Sequence, residues 1–265
     1  MAVDVDTPFS RVDDFHFDTG TDHGLRVMRF EFGRQARFDE HVDEMNQLSL
    51  VTNGVMTAES GGTHWVVPST RALWIPSGTA HSVGVTKMSV LYCAYFPPQI
   101  TPAYLDRTLL IEATPLVHGL IQHLATTDLS LQDAWDARSV LFRTLTPLAS
   151  DGVELPMPTS SHARAVATAL VDFPDDRRQL AHWARALAVS TKTIQRAFSS
   201  ETGMSFTEWR VQAKLHHSLR LLAGGAPVAR VARECGYTDS SAYTKAFRRR
   251  FGTSPREHAM PRIPG

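Results

Sequence analysis

The sequence is poor in cysteine, in long apolar runs and in net charge. Cys93 and Cys235 are the only cysteines in 265 residues. They lie far apart on different structural patterns, which excludes a disulfide framework and makes a reducing cytoplasm the expected compartment. No apolar run approaches the ~18–20 residues of a membrane-spanning helix, so no membrane partner is expected. The opening stretch MAVDVDTPFSRVDDFHFD is acidic and lacks the basic-then-apolar order of a secretory signal. Lys+Arg and Asp+Glu number 27 each, for a formal net charge of zero. Taken whole, that balance favours no polyanionic partner.

The balance conceals an asymmetry. Residues 1–159 hold 10 Lys+Arg and 19 Asp+Glu, a net of −9, whereas the remainder holds 17 and 8, a net of +9. Such a division points to an acidic module joined to one that binds a polyanion. The chain is long enough for two cores, and a hydrophobic fraction of 43% with 20% charged residues is that of a globular protein.

The acidic part reads as β-structure. Leu25–Phe32 alternates apolar and polar residues, and residues 47–52, 55–59, 64–67, 72–75 and 88–96 are further short β-rich runs. Gly54, Gly61-Gly62, Pro68-Ser69 and Pro76-Ser77-Gly78 punctuate them, as expected of a small antiparallel barrel or sandwich. Helical patterning follows Pro97-Pro98. Thr101-Pro102 and Thr114-Pro115 each open a candidate helix, the second with Leu116, Leu120 and Leu124 on one face. A third, marked by Leu131, Trp135, Leu141, Phe142, Leu145 and Leu148, is expected to end near Ser150. Its apolar stripe serves either its own domain or a dimer seam.

Residues 150–161, SDGVELPMPTSS, have linker composition. Three regions are therefore expected: 1–150, sensing and dimerisation; 151–161, linker; 162–265, all helical. Within the last, a helix runs to Phe173 before Pro174. The capping box Ser205-x-x-Glu208 opens a long helix to Ala223, closed by Gly224-Gly225, and Ser254-Pro255 opens another.

The basic part contains itself twice. Leu180-Ala181-x-x-Ala184 then Ala188-Val189 matches Val228-Ala229-x-x-Ala232 then Gly236-Tyr237 at an offset of 48. Ile194, Arg196 and Phe198 then match Tyr243, Lys245 and Phe247 at an offset of 49. Each copy is a short helix, a tight turn and a second helix, which is helix-turn-helix construction. The exposed face of one second helix is expected to carry Thr191, Lys192, Gln195 and Arg196, and that of the other Ser240, Ser241, Thr244, Lys245 and Arg248. These side-chain types read major-groove base edges or grip phosphates. Arg248-Arg249-Arg250 is expected to add a positive flank. Phe198, Phe247, Phe251, Ile194 and Cys235 read as core, with no redox role for the thiol.

Residues 180–258 resemble the DNA-binding domain of the AraC/XylS family of bacterial transcription regulators. The resemblance is carried by GYTDSSAYTKAFRRRFGTSPREH and by FSSETGMSF after the first copy. Ala242 and Ser218-Leu219-Arg220 depart slightly from the family pattern. The resemblance implies that the two second helices enter successive major-groove segments of double-stranded DNA, joined by the long central helix.

In the acidic part, His41-x-Asp43-x-x-x-Gln47 and Pro76-x-Gly78-x-x-His81 resemble the two halves of the cupin barrel motif. RALWIPSGTAHSV resembles the cupin-like sensor domains attached to many such regulators. In a cupin these positions hold a divalent metal, but Asp43 stands here for a histidine and Gln47 for a glutamate. The resemblance implies a ligand pocket formed by His41, Asp43, Gln47, Trp74 and His81. A metal set of His41, Asp43 and His81 stays open beside a metal-free polar pocket. Trp65 and Trp74 read as core or pocket wall.

The expected architecture is α+β in two domains: a cupin-like β-barrel with following helices, then an all-α double helix-turn-helix domain. The expected function is a cytoplasmic, sequence-specific DNA-binding regulator, controlled by a small-molecule effector in the barrel and working as a homodimer with RNA polymerase as a further partner. Two rivals stand beside it: a metal-dependent cupin dioxygenase or isomerase fused to a DNA-binding domain, and an architectural protein without an effector.

Overall fold

The computed structural model of the chain describes residues 11–17, 24–86, 88–126, 129–148 and 154–259, with 11–17 and 258–259 described in backbone only. The opening residues 1–10 and the first residues of the expected linker, 150–153, lie outside the described residues. The chain divides into two compact units, Met1–Gly61 with Val67–Ser150, and Gly62–Val66 with Asp151–Gly265. Among the described residues no helix is long and apolar enough to cross a membrane.

The first unit is built on strands β1 (Arg11–Phe17), β2 (Leu25–Phe32), β3 (Ala36–His41), β4 (Asn46–Asn53) and β5 (Val55–Ser60). Strand β6 (Thr63–Pro68) follows, then β7 (Arg71–Ile75), β8 (His81–Val85), β9 (Ser89–Phe96) and β10 (Leu109–Glu112). Six of these form an antiparallel sheet in the order β1-β2-β9-β4-β7-β10, while β8 lies between β5 and β3 in a second sheet. Successive side chains of a strand point to opposite faces, so the large sheet has two characters. One face carries Leu48, Leu50, Ala72, Trp74, Ala94 and Phe96 into a core with helices α1 (Pro115–Leu124) and α2 (Leu131–Thr144). The other face carries Met28, Phe30 and Phe32, and the last two rings pack against Phe38 of the second sheet at 5.3 and 6.0 Å. That face is the barrel interior.

The strands expected from alternation are present within a residue or two. Four more, β1, β3, β8 and β10, were not anticipated from the residue pattern. Strand β3 reads ARFDEH and is mostly solvated, while β8 has five residues including Gly84. The helix expected from Thr101-Pro102 does not form. The Thr101 hydroxyl accepts from Asn46 at 2.8 Å and donates to the Pro97 carbonyl at 3.0 Å, so it is not free to cap a helix. The chain runs instead through a single 3-10 turn, Pro98–Ile100, and further turns into β10.

Helix α1 is capped by Thr114 as expected, but its buried face is Val117, Ile121 and Leu124. Leu116 is 52% exposed and Leu120 only packs at the edge of the core, so the stripe lies one residue later than its leucines suggest. Helix α2 ends at Thr144. Pro147 cannot continue a helix, and the chain there turns extended to pair with β10, with Leu148 N donating to Leu110 O at 2.8 Å. Leu131 and Trp135 are exposed, at 57% and 44%.

The second unit begins in the stretch whose composition reads as linker. Glu154–Pro156 forms strand β11, paired with Trp65, His64 and Thr63 of β6. Leu155 is fully buried, Met157 N donates to Gly62 O at 2.9 Å, and the Trp209 indole donates to Pro156 O at 2.6 Å. Among the described residues seven helices follow: α3 (Ser161–Asp172), α4 (Leu180–Ala186), α5 (Thr191–Thr202), α6 (Phe206–Ala223), α7 (Val228–Glu234), α8 (Ser240–Phe251) and α9 (Pro255–Ala259). The Ser205–Glu208 capping box opens α6, which packs on α3, α5, α7 and α9. Phe206, Trp209, Leu215, Leu219 and Leu222 are buried as its periodicity predicts.

Candidate nucleic-acid interface and effector pocket

The sequence repeat is a structural repeat. In the first copy α4 leads through a turn to α5; in the second α7 leads to α8. Ala184 and Ala232 are buried where the second helix crosses. The turns share a bond pattern: Val189 N donates to Ala184 O at 3.0 Å and Tyr237 N to Ala232 O at 2.9 Å. Ile194, Phe198, Tyr243 and Phe247 are fully buried and anchor the second helices. Each of those helices starts at a side-chain cap. Ser190 accepts from Thr193 N, and Asp239 accepts from Ser241 N and Ala242 N. The two backbone bonds hold the Asp239 carboxyl below the usual carboxylate range. Each ends at a left-handed glycine, Gly203 or Gly252, as only a residue without Cβ does readily.

Fixing one face of each helix in the core commits the opposite face to solvent. Thr191, Lys192, Gln195 and Arg196 are all exposed on α5. On α8 Ser241, Lys245 and Arg248 are exposed, with Ser240 and Thr244 half-buried. Ser240, Ser241, Thr244, Lys245 and Arg248 line one open concavity together with Arg249, expected only as part of the positive flank. Arg250 departs from that flank. Its guanidinium donates to Glu154 O at 3.1 Å, and burial lowers its pKa. The helical period turns this third arginine to the core side, so only Arg248 and Arg249 offer charge to a ligand.

In the first unit β3 and β8 pair so that His41 lies opposite His81, with a register shift after Phe38. The ring centroids are 4.3 Å apart. The loop after β3 brings in Asp43, and Gly78 N donates to its backbone carbonyl at 2.9 Å, joining that loop to the turn before β8. Asp43 Oδ2 lies 3.9 Å from His41 Nε2 and 3.6 Å from His81 Nε2. His81 is buried, and desolvation by its surroundings lowers its pKa, keeping the ring neutral. His41 Nδ1 donates to Asp39 O at 2.7 Å and His81 Nδ1 to Thr79 O at 2.9 Å.

Gln47 is buried on the interior face of β4, where its amide nitrogen donates to Ser49 Oγ at 2.7 Å. Ser49 in turn donates to Cys93 Sγ at 3.5 Å. Burial pushes the Cys93 thiol up to about 11, so it is a neutral polar lining group. Ser49, Cys93 and Tyr95 were not expected from the sequence to line the pocket; their signal is strand parity with Gln47, which they share by the register Gln47↔Tyr95 and Ser49↔Cys93. Trp74 does not join this set. It pairs with Leu48 rather than Gln47, points to the helix-covered face, and its indole donates to Leu105 O at 2.9 Å. Trp74 is core, not pocket wall. Cys235 is likewise buried, with Sγ donating to Lys214 O at 3.3 Å and a thiol pushed up to about 12.

Comparison with known proteins divides the chain in the same way. A family model described as an AraC-like ligand binding domain matches residues 27–165, and one described as a helix-turn-helix domain matches residues 183–259. The HTH-type transcriptional regulator NimR of Escherichia coli strain K12 is 31% identical over 219 residues, covering 81% of this chain and 80% of that one. The HTH-type transcriptional regulator RipA of Corynebacterium glutamicum is 40% identical over 100 residues, 38% of this chain and 30% of its own length. Among solved structures, ToxT from Vibrio cholerae with a bound unsaturated fatty acid aligns at a TM-score of 0.37 and 10% identity, over 90% of this chain and 95% of that one.

Proposed function

The chain belongs to the AraC family of helix-turn-helix transcription regulators, a ligand-binding domain followed by a DNA-binding one, and from that premise we propose how its residues do the work. It is a regulator of transcription with DNA as partner and a small molecule as effector, and not an enzyme. Helices α5 and α8 enter successive major-groove segments of one operator. Thr191, Lys192, Gln195 and Arg196 read or grip one segment; Ser240, Ser241, Thr244, Lys245 and Arg248 the other. The observation that carries this reading is the repeated pair of side-chain-capped helices, each anchored by two buried residues and presenting a polar, basic face. Arginine and glutamine suit bidentate contacts to base edges, while serine, threonine and lysine suit the phosphates between.

The effector occupies the interior of the first unit, beside His41, Asp43, Gln47 and His81. Residues 1–150 act as sensor and dimerisation region and 162–265 as DNA-binding region, with strand β11 in the stretch between. The protein acts in the cytoplasm as a homodimer. Leu131 and Trp135, one turn apart and exposed on α2, support that assembly. RNA polymerase is the further partner at promoters the protein activates. An effector acts here only by binding one state of the dimer better than the other.

The test is selection of binding sites from random duplex DNA by the full chain, followed by footprinting. Two protected major-groove segments per protomer on one face of the duplex, about one helical turn apart, are the expected result. A single segment, or binding indifferent to sequence, overturns the double-reader assignment.

A further inference from the structure

Among the described residues, the first unit gathers three buried acceptor atoms and supplies a donor to none of them: His81 Nε2, Asp43 Oδ2 and Gln47 Oε1. His81 spends its Nδ1 proton on Thr79 O, so in the neutral ring Nε2 is an acceptor. It faces Asp43 Oδ2, itself an acceptor, at 3.6 Å, beyond hydrogen-bond reach. Gln47 has the same bias, since its amide nitrogen is committed to Ser49 and its carbonyl oxygen is left over. The three atoms share one region, because Gln47 and Asp43 both act on the Cys93 thiol and Asp43 faces His81. His81 and Gln47 are 1% and 2% exposed. Buried acceptors without donors are costly. A water molecule can supply donors but sets no charge against the Asp43 carboxylate.

We propose that this region binds a small organic cation through an N–H-bearing head of the ammonium, amidinium or guanidinium class. Such a head brings several donors and one positive charge, the complement of two neutral acceptors and a carboxylate. Hydrogen bonds with an ionised partner are about twice as strong as neutral ones, and a water-poor interior strengthens them further. An anionic head would meet Asp43 with like charge and bring donors to none of the three atoms. Arg26 lies opposite Tyr95, which lies opposite Gln47. That places its backbone two strands from Gln47, about 9–10 Å by strand spacing. Leu73 and Ile75, buried opposite Ser49 and Gln47, give the ligand an apolar flank. Further along β2 and β9 the interior turns apolar, with Met28 opposite Cys93 and Phe30 opposite Leu91, which keeps the charged head at the Gln47 end. His41, 25% exposed beside Asp43, opens that end to solvent. The cation's role as effector rests on the reading of the first unit as sensor; its binding does not.

The experiment compares acetamidinium, acetamide and acetate, three molecules of one shape that differ in donors and charge. The untagged full-length chain is used, with chelator present and ionic strength held constant. Acetamidinium should raise the thermal midpoint saturably at roughly millimolar concentration, and the other two at least about tenfold more weakly. Asp43→Asn and Gln47→Leu should each weaken acetamidinium by at least about tenfold. Cooperative unfolding without ligand reports that both variants fold. Should Gln47→Leu fail to fold, the nearly isosteric Asp43→Asn decides alone. The proposal is overturned by the lack of a saturable acetamidinium shift, by an equal shift with acetate, or by a shift indifferent to Asp43→Asn. Any of these with operator selection intact leaves the regulator reading standing. Saturable, Asp43-dependent binding that leaves operator affinity unchanged supports the cation site and strikes the effector reading instead.

Discussion

Ala188 and Gly236 stand at the same place in the two helix-turn-helix copies, and both hold a left-handed backbone, at φ 53° and 76°. Their amides donate to matching carbonyls, Ala188 to Arg185 O at 3.2 Å and Gly236 to Arg233 O at 2.9 Å. The turn demands the same geometry twice, and only the second copy meets it with a residue that adopts it freely. An alanine in that region costs about 1 kcal/mol or more.

Ala188→Gly should therefore stabilise the chain by about 1 kcal/mol, and Gly236→Ala should destabilise it by a similar amount. A Cβ at Gly236 would also come within 2.9 Å of Lys214 Nζ, the movable end of a long side chain. Urea unfolding of the full chain measures both. A midpoint for Ala188→Gly at or below that of wild type contradicts the strain assigned to this turn.

Arg196→Ala should weaken a selected operator by about 1–3 kcal/mol and relax preference at one base pair, the expectation for a base-reading arginine. Lys245→Ala should weaken selected and random duplexes alike and lower the salt slope by about one unit, because a lysine on phosphate carries no sequence information. Binding isotherms at several salt concentrations separate the two roles. The assignment of α5 to base readout fails if Arg196→Ala binds the operator as wild type does.

His217 supplies a pH dependence. It accepts a hydrogen bond from Arg220 at Nδ1, at 2.9 Å, and burial followed by that guanidinium lowers its pKa from 6.5 to about 4. The unfolded chain then binds the proton more readily, so the stabilisation is complete above about pH 6.5 and is lost as pH falls towards 4. At full protonation the loss is about 3 kcal/mol. His217→Gln should flatten the fall in thermal midpoint over that window relative to wild type. Parallel curves would show that the ring titrates normally in the fold.

Leu131 and Trp135 give a test of assembly. Trp135→Glu or Leu131→Glu should convert a dimer to a monomer in sedimentation at micromolar concentration, with secondary structure unchanged, since neither side chain belongs to its own core. A wild type that sediments as a monomer, or variants that remain dimeric, would remove α2 from the interface.

The DNA-facing helices were legible because two local rules decide them. A side-chain cap fixes where each helix starts, and the 3.6-residue period then fixes which side chains face water. The same period places Arg250 inward, which a count of three arginines overlooks. The barrel was less legible because its faces depend on register. Whether Trp74 sits with Gln47 is decided by which β4 residue lies opposite it, and that is a property of two strands, not one. Strand β3 escaped because ARFDEH alternates weakly and lies at the side of its sheet, where charge is normal. His41, Asp43 and His81 were singled out by their resemblance to the cupin motif, whereas their convergence needed the β3–β8 pairing.

The ladder between β6 and β11 changes where this chain can be cut. Five residues of distant sequence, Gly62–Val66, belong with the helical unit, where Thr63, His64 and Trp65 pair with Glu154–Pro156. A recombinant fragment that starts at residue 151 carries every DNA-reading side chain yet leaves that strand as an open edge, with Leu155 stripped of its cover. Unpaired edges of this kind recruit other chains. Such a fragment should be more prone to self-association and proteolysis than its helical content suggests, and a hinge drawn by composition would pass through a strand that is already engaged.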